Sequence, residues 1–455
     1  MPRASWIALA GLGILACRDR VESGTTAAAE GTEVASPPQD LGEESDGRPK
    51  AGRLPVGEEL TAEARAQNAK GKEPRKPTRR GRVSRAMKPT IEKTVHGFVA
   101  RLGGQNTVTP VFHEGRVLAG AFSTYDLHAV DATTGAPEWS IRLSDDGPTA
   151  PTCRDGICVF NTYSCTMFGV AADTGKHLWS WYLGSPQLAT PVISGDLVYS
   201  SYPDTGGPPE APYVIGAFDL RTGAPVWRRW IDSEVNATPV AYGGKIYVAT
   251  RLGTLYELGA VDGEVVSARR SRIASPPVIT ADGLLFARDA VAQDSQTIKA
   301  SRALFPELEG RALAVGPVQP RPRPLVAKSR LISIDGGMLV ARNKDSGRAL
   351  WSTALTSLQP ASVPDPLIYA GKSVLMATAS GSVVRFDAST GETVDSFELA
   401  KTALSSQPIA VDGWLYAGTA DGSVVGYDTG QRELTGWAMQ GGTPDRQGTV
   451  DPEGT

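Results

Sequence analysis

Between about residue 93 and residue 440 the apolar positions fall in short runs that alternate with polar ones and break at glycine and aspartate. Lys245-Ile-Tyr-Val-Ala-Thr250 and Gly413-Trp-Leu-Tyr-Ala-Gly418 are two such runs. Runs of this length, rich in β-branched and aromatic residues and bounded by turn formers, predict strands. A stripe with a 3.6-residue period, the mark of helical repeats, is missing from the same region.

The runs recur as a unit that opens on a proline, followed in most copies by a β-branched or apolar residue. The openings are Pro110, Pro151, Pro191, Pro239, Pro277, Pro324, Pro366 and Pro408, at spacings of 41, 40, 48, 38, 47, 42 and 42 residues. Such a pitch holds four strands of about five or six residues with their turns, the content of one propeller blade. The expected fold is therefore all-β: a single β-propeller of four-stranded antiparallel blades over residues 93–440. Eight openings imply eight blades, or seven if the irregular fifth and sixth units merge. Val95 to Leu102 alternates as a strand ahead of the first opening, so it can complete the last blade and fasten the two ends of the chain together.

Each unit carries two turns. The first follows the opening by about five residues, as in Glu114-Gly115, Asp155-Gly156, Gly243-Gly244 and Asp412-Gly413, residues that tolerate the positive φ of tight hairpins. The second ends in Thr-Gly, most clearly in Asp131-Ala-Thr-Thr134-Gly135, Asp219-Leu-Arg-Thr222-Gly223 and Asp387-Ala-Ser-Thr390-Gly391. Four residues past that glycine stands a tryptophan in four copies, Trp139, Trp179, Trp227 and Trp351. The copies ending at Thr174-Gly175 and Ser346-Gly347 have Ala171 and Asn343 in place of the aspartate. The fourth has Ser267 and the seventh Asp395 in place of the tryptophan, the fifth shows no such turn, and Trp437 lies three positions late in the eighth.

Asp-x-x-Thr-Gly-x-x-x-Trp resembles the tryptophan-docking motif of PQQ-like, quinoprotein-type propellers. The likeness covers roughly Phe98 to Gln440, about three-quarters of the chain. It implies that the indole of one blade packs on its neighbour, joining blades that share no strand hydrogen bonds, and that these residues are structural. Both turns of a unit belong on one face of the disc. The second-to-third-strand loops and the crossings between blades belong on the other, with the insertions Tyr202 to Pro212 and Asp289 to Arg323 at that face or its edge.

The amino terminus adds an export signal. Arg3 precedes the apolar run Ala4 to Ala16, too short to span a membrane, and Ile14-Leu15-Ala16-Cys17 resembles a bacterial lipobox. Residues 1–17 are thus expected to be a lipoprotein signal with Cys17 acylated; the other reading is an ordinary signal peptide that happens to include a cysteine. Residues 18–92 lack apolar periodicity, acidic first and then basic from Lys70 to Lys88, and are expected to be a disordered tether. The basic run is a solvated linker or a contact for anionic headgroups or wall polymer. Residues 441–455 are expected to form a flexible tail. A net charge of −3 gives no general attraction to nucleic acid.

Little in the chain speaks for catalysis. His96, His113, His128 and His177 fall in different units, and no H-E-x-x-H, Walker loop, G-x-S-x-G elbow or EF-hand loop is present. Asp145-Asp146-Gly147 reads as a turn. Cys153 and Cys158 flank the Asp155-Gly156 turn and can pair across a two-residue hairpin; Cys165 can instead pair with Cys158, and one thiol is left over either way. The family resemblance raises an enzymatic alternative, PQQ held with calcium in the central funnel or another small ligand there. The chain has neither the adjacent-cysteine pair nor the Cys-x-x-Cys-His haem site of such enzymes. The expected function is non-enzymatic, without cofactor or metal: a lipid-anchored scaffold for envelope protein partners, as in the lipoprotein propeller of outer-membrane β-barrel assembly that the chain resembles. Arg18 after Cys17, where inner-membrane retention calls for aspartate, points to the outer membrane facing the periplasm.

Anchoring is assigned to one thiol. Cys17→Ser is expected to abolish metabolic labelling with palmitate and to move the protein out of the membrane fraction. Retention in the membrane without lipid would instead mean that the apolar run Ala4 to Ala16 is an uncleaved anchor.

Overall fold

The computed structural model describes residues 86–436, apart from 123, 144–146, 163–165, 184–189, 205–210, 236–237, 271–277, 281–282, 286–324, 345 and 364. Cys17, most of the tether, Asp145-Asp146, Cys165, the stretch 289–323 and Trp437 lie outside the described residues.

The described residues form strands and turns, with no helix. One hairpin and one strand lead in: β1 (Thr90–Thr94) with β2 (Gly97–Arg101), then β3 (Gln105–Thr107), which joins the first sheet through its second strand. The first sheet holds β4 (Val111–His113), β5 (Arg116–Phe122), β6 (Asp126–Asp131) and β7 (Pro137–Arg142). The second holds β8 (Thr152–Arg154), β9 (Ile157–Asn161), β10 (Thr166–Ala171) and β11 (His177–Tyr182). The third holds β12 (Val192–Ser194), β13 (Leu197–Pro203), β14 (Tyr213–Asp219) and β15 (Pro225–Ile231). In the fourth are β16 (Val240–Tyr242), β17 (Lys245–Ala249), β18 (Thr254–Gly259) and β19 (Val265–Arg270). Of the fifth, β20 (Val278–Thr280) and β21 (Gly283–Leu285) are described. The sixth has β22 (Leu325–Ala327), β23 (Arg330–Asp335), β24 (Met338–Asn343) and β25 (Ala349–Ala354), and the seventh β26 (Leu367–Ala370), β27 (Ser373–Ala377), β28 (Ser382–Asp387) and β29 (Thr393–Glu398). The eighth combines β30 (Ile409–Val411), β31 (Trp414–Gly418) and β32 (Ser423–Asp428) with β2 and β1.

Eight sheets are thus present among the described residues, equal in number to the eight openings, and consecutive strands within each pair antiparallel. First strands of neighbouring sheets touch: β4 with β8, β8 with β12, β12 with β16, β20 with β22, β22 with β26, and β30 with β4. The first strands therefore surround the axis and the fourth strands form the rim, which is the propeller arrangement. Glu114 and Gly115, with φ of 48° and 77°, show the two consecutive left-handed residues that a two-residue hairpin demands. Ala132 N donates to Gly115 O, Ala172 N to Gly156 O, Ala260 N to Gly244 O and Thr429 N to Gly413 O, at 2.8–2.9 Å. The two turns of a blade are therefore bonded to each other on one face, called here the turn face.

No single centre collects the apolar side chains. Clusters lie at the seams between sheets: first with second, second with third, third with fourth, sixth with seventh, and eighth with both seventh and first. The last is the largest and contains the closure. β2 pairs with β32 from Gly97↔Tyr427 to Arg101↔Ser423, so a strand from the start of the chain is the fourth strand of the last blade. β1 then pairs with β2 as a fifth, outer strand.

That outer strand moves one boundary. The chain is ordered into the propeller from Thr90, not 93, and Met87 N already donates to the buried Asp126 carboxylate (3.2 Å). β1 has only Ile91 as an apolar residue and is held by backbone pairing, so it leaves no hydrophobic period to read.

Phe98 on β2 is fully buried in the closing cluster, whereas Val95 in the β1–β2 turn is 94% exposed. Phe98→Ala is expected to lower the unfolding free energy by about 3–5 kcal/mol in urea titration, and Val95→Ala by less than about 0.5 kcal/mol. Equal effects would show that β2 does not carry the closure.

Candidate functional site

The Asp-x-x-Thr-Gly turns are built from their own side chains. Asp219 Oδ1 accepts from the Thr222 amide (2.7 Å), the Thr222 hydroxyl (2.7 Å) and the Arg221 amide (3.1 Å). Asp131 does the same for Thr133 and Thr134, and Asp387 for Ser389 and Thr390. The Thr222 hydroxyl hydrogen bonds hold the Asp219 carboxyl below its usual range, against burial. Burial pushes Asp131 upward, but the donors of Thr134 and Thr133 outweigh it and the net direction is down. For Asp387 the Ser389 hydroxyl is the main cause of the lowering. In the sixth sheet Asn343 Oδ1 takes the aspartate's place toward Ser346 (2.8 Å).

The turns at Gly175, Gly223, Gly263 and Gly391 each receive a tryptophan ring from the preceding blade, whereas nothing lies within 4 Å of a Cβ added at Gly347 or Gly430. Trp139 Nε1 donates to Ala172 O (2.9 Å), Trp179 to Leu220 O (2.8 Å), Trp227 to Ala260 O (2.9 Å) and Trp351 to Ala388 O (3.2 Å). The rings lie on the turn glycines: a Cβ added at Gly175, Gly223, Gly263 or Gly391 would come within 2.3–2.6 Å of the docked indole. Opposite each tryptophan in its own blade stands a residue small enough to leave the ring room: Ala129, Gly169, Ala217 and Ala341.

The closing joint obeys the same rule with other residues. Phe98 covers Gly135, within 2.5 Å of an added Cβ, and faces Gly426. Its ring has no N–H, and Tyr416 Oη donates to Ala132 O instead (3.0 Å), the carbonyl equivalent to Ala172 O. The sequence motif could not show this, because the eighth blade's fourth strand precedes the first blade. Spacing could have shown it: Phe98 precedes the next first strand by thirteen residues, as Trp139, Trp179 and Trp227 do.

Where the aromatic is lost, the small partner is lost with it. Ser267 faces Glu257, which is 6% exposed, accepts from Ser267 Oγ (3.2 Å) and pairs with Lys245. Asp395 faces Arg385, 2.9 Å away, and accepts from Gln431 Nε2 (3.2 Å), while Arg385 also reaches Gln431. A buried charge without a partner is costly; here an ion pair stands where an aromatic ring and its small partner stand elsewhere, Lys245 with Glu257 inside the fourth sheet and Arg385 with Asp395 in the seventh.

The opposite face has its own repeat. Thr162 N donates to Thr166 O (2.8 Å) while the Thr162 hydroxyl accepts from Thr166 N (3.1 Å). Thr250 with Thr254, Thr378 with Ser382 and Thr419 with Ser423 repeat the arrangement. The incoming segments bridge to these threonines at Pro148, Val235, Pro360 and Leu404. The spacing Thr-x-x-x-Thr/Ser in four units was a legible signal for these second-to-third-strand loops. The Tyr202 to Pro212 insertion joins β13 to β14 on this face.

The histidines stay apart. His128 is buried with Nδ1 2.8 Å from Ser140 Oγ; burial lowers it to about 4, partly opposed by Asp126, so it is neutral. His96 stacks on Tyr427 and His177 lies edge-on to Phe168. No group of three or more His, Cys, Asp or Glu is placed to hold a metal ion among the described residues. Cys153 and Cys158 stand directly opposite on β8 and β9, Cα atoms 4.0 Å apart, and are joined as a disulfide.

A family model described as outer membrane protein assembly factor BamB, built on PQQ-type repeats, matches residues 78–206 and 213–440. The chain belongs to the BamB family. A BamB of Shewanella oneidensis is 22% identical over 317 residues, 66% of this chain and 65% of that protein. A BamB of Bordetella pertussis is 27% identical over 220 residues, 46% of this chain and 54% of its own length. This chain therefore spans less than two-thirds of these BamB relatives. The crystal structure of BamB from Moraxella catarrhalis superposes with a TM-score of 0.55 at 21% identity, covering 74% of this chain and 98% of that one. At that identity the likeness shows the fold: a propeller.

Gly156 and Gly175 test the docking within one sheet of this BamB-family propeller. Both have positive φ (73° and 67°), but only Gly175 lies against an indole. Gly156→Ala is expected to cost about 1–2 kcal/mol for its left-handed backbone. Gly175→Ala should cost about 1–3 kcal/mol more, because Trp139 must shift. Thermal or urea unfolding reads the difference, and equal costs would refute docking.

Proposed function

We propose that this protein is a non-enzymatic envelope lipoprotein, anchored through acylated Cys17 to the outer membrane and facing the periplasm, whose propeller holds protein partners together in outer-membrane protein assembly. The observation that carries the proposal is the family match, which runs through nearly the whole propeller and whose relatives are named as assembly factors of outer-membrane proteins. The use of polar side chains supports it. Asp131, Asp219 and Asp387 are spent on capping turns, Glu257 and Arg385 on seams, and His128 is buried against Ser140. A scaffold needs only a rigid frame that presents surface loops, and rigid frames carry binding residues on their loops.

Affinity isolation of the lipidated protein from its own envelope tests this beside titration with PQQ and calcium. Outer-membrane assembly proteins are expected to co-purify, and PQQ with calcium to leave the intrinsic fluorescence unchanged. Saturable PQQ binding without co-purifying envelope proteins would overturn the proposal.

A further inference from the structure

After β32 the chain does not return as a fourth strand, because β2 holds that place, and it leaves the eighth sheet through Asp428-Thr429-Gly430. Residues 430–436 then cross the turn face as a strap over the first hairpins of the seventh and eighth sheets. The hairpin glycines show how close it lies. A Cβ on Gly371 would stand 2.7 Å from Glu433 O, and one on Gly413 2.7 Å from Gln431 O. Nothing is within 4 Å of a Cβ added at Gly115, Gly156, Gly195 or Gly244, in the first hairpins of the first four sheets. Hydrogen bonds fix the strap to both sheets beneath it. On the eighth, Gly413 N donates to Leu434 O (3.0 Å), Asp412 N to Thr435 Oγ1 (2.9 Å) and Arg432 Nη1 to Asp412 O (2.8 Å). On the seventh, Gly371 N donates to Thr435 O (3.1 Å).

The seam under the strap is one that no ring covers. The seventh blade carries Asp395 where a tryptophan docks elsewhere, and Gly430 is the turn glycine that such a ring would lie on. The strap meets this seam along its whole length. At the outer strands Gln431 Nε2 donates to Asp395 Oδ2 (3.2 Å) and Gln431 Oε1 accepts from Arg385, so the ion pair across β28 and β29 is tied to the strap. Midway, Leu434 is buried in the closing cluster. At the first strands Gly436 N donates to Ala410 O on β30 (3.0 Å), and Gly436 pairs antiparallel with Ala370 on β26.

We infer that the strap is a latch that takes the place of the docked ring between the seventh and eighth blades, and that the propeller opens first at this seam when the latch lifts. A docked tryptophan is held in a strand of its own sheet. The strap is held by single hydrogen bonds to two hairpins, by one buried apolar side chain and by an isolated bridge at Ala370. Arg432, Glu433 and Thr435 are exposed, so water competes for its bonds. A segment with few buried apolar contacts and exposed backbone bonds opens at less than the global unfolding free energy. Lifting it removes Gln431 from the Arg385–Asp395 pair, Leu434 from the core and the Gly436 link between β26 and β30 in one event. The other closure, β2 on β32, is a continuous ladder and stays in place.

Hydrogen exchange on variants of the full chain tests the latch. Gly195 and Gly371 are a matched pair: both have φ of 59°, and of the two only Gly371 lies beneath the strap. Alanine carries the same backbone cost at either position, so the difference between them reports the strap. Gly371→Ala is expected to raise exchange at least about tenfold in residues 367–376, 409–416 and 431–436, with 192–199 and 214–220 unchanged. Gly195→Ala should leave 431–436 at the rate of the unaltered chain. Gln431→Ala, which strains no backbone, should raise exchange of the same three segments at least about threefold. An unchanged rate at 431–436 in either Gly371→Ala or Gln431→Ala, or an equal rise in every blade, would overturn the inference. Should Gly371→Ala not fold, Gln431→Ala alone decides. The readout involves no envelope partner, so a failure here leaves the scaffold proposal standing, and the reverse also holds.

Discussion

An aromatic ring seated on the turn glycine of the next blade is the contact on which the rest of this propeller depends. No strand ladder joins one sheet to the next among the described residues, so apart from isolated main-chain bonds such as Asn106 N to Ala420 O the seams rest on side-chain packing. Each docked ring combines burial, a hydrogen bond from indole N–H or tyrosine hydroxyl to a fixed carbonyl, and a glycine that leaves space for both. Three positions must agree at every joint: the ring, the small residue opposite it and the glycine beneath it. The chain shows how tightly they are coupled. Losing the ring at Ser267 and Asp395 coincides with Glu257 and Arg385 where alanine or glycine stands elsewhere. An empty space at a seam would remove dispersion contacts from both walls, and long charged side chains with partners are one way to fill it.

The same constraint explains how the ring of blades closes. A linear array would leave its last blade with no neighbour and a free edge. Here β2 supplies both what the last blade lacks as a fourth strand and, in Phe98, what the first blade's turn needs as a cover. The closing cluster is correspondingly the largest, taking in side chains from the first, seventh and eighth sheets. The carboxy-terminal segment strengthens that region by a second route, burying Leu434 and bonding to the hairpins of the seventh and eighth sheets.

Much of this was legible in the sequence, because a propeller repeats local rules. Proline openings, Asp-Gly and Thr-Gly turns and Asp-x-x-Thr-Gly-x-x-x-Trp each reflect a requirement met inside one unit or between adjacent ones, so repetition made them visible. What escaped was met by residues far apart in the chain or by backbone alone. Phe98 substitutes for a tryptophan from the other end of the sequence. β1 is held by main-chain bonds, with Ile91 as its lone apolar residue. The charged seams at Glu257 and Arg385 read as eroded motifs when they are alternative solutions to the same packing problem. The threonine loops repeated openly at 162, 250, 378 and 419, but hydroxyl-capped turns have no hydrophobic period to call attention to them.

The distribution of chemistry follows from these demands and bears on what the molecule can do. Among the described residues Asp131, Asp219 and Asp387 cap turns, and His96, His128 and His177 are set in separate packing environments. The turn face is further committed where the terminal segment crosses it from Gly430 to Gly436. The opposite face is different. Its threonine-capped loops are anchored at both ends, by the loop's own bonds and by the bridge to the incoming segment. These loops are held at the tip as well, where Gly381 and Gly422 lie against neighbouring backbone and accept hydrogen bonds from it, so the face keeps a fixed shape, and a rigid frame of this kind can present binding residues.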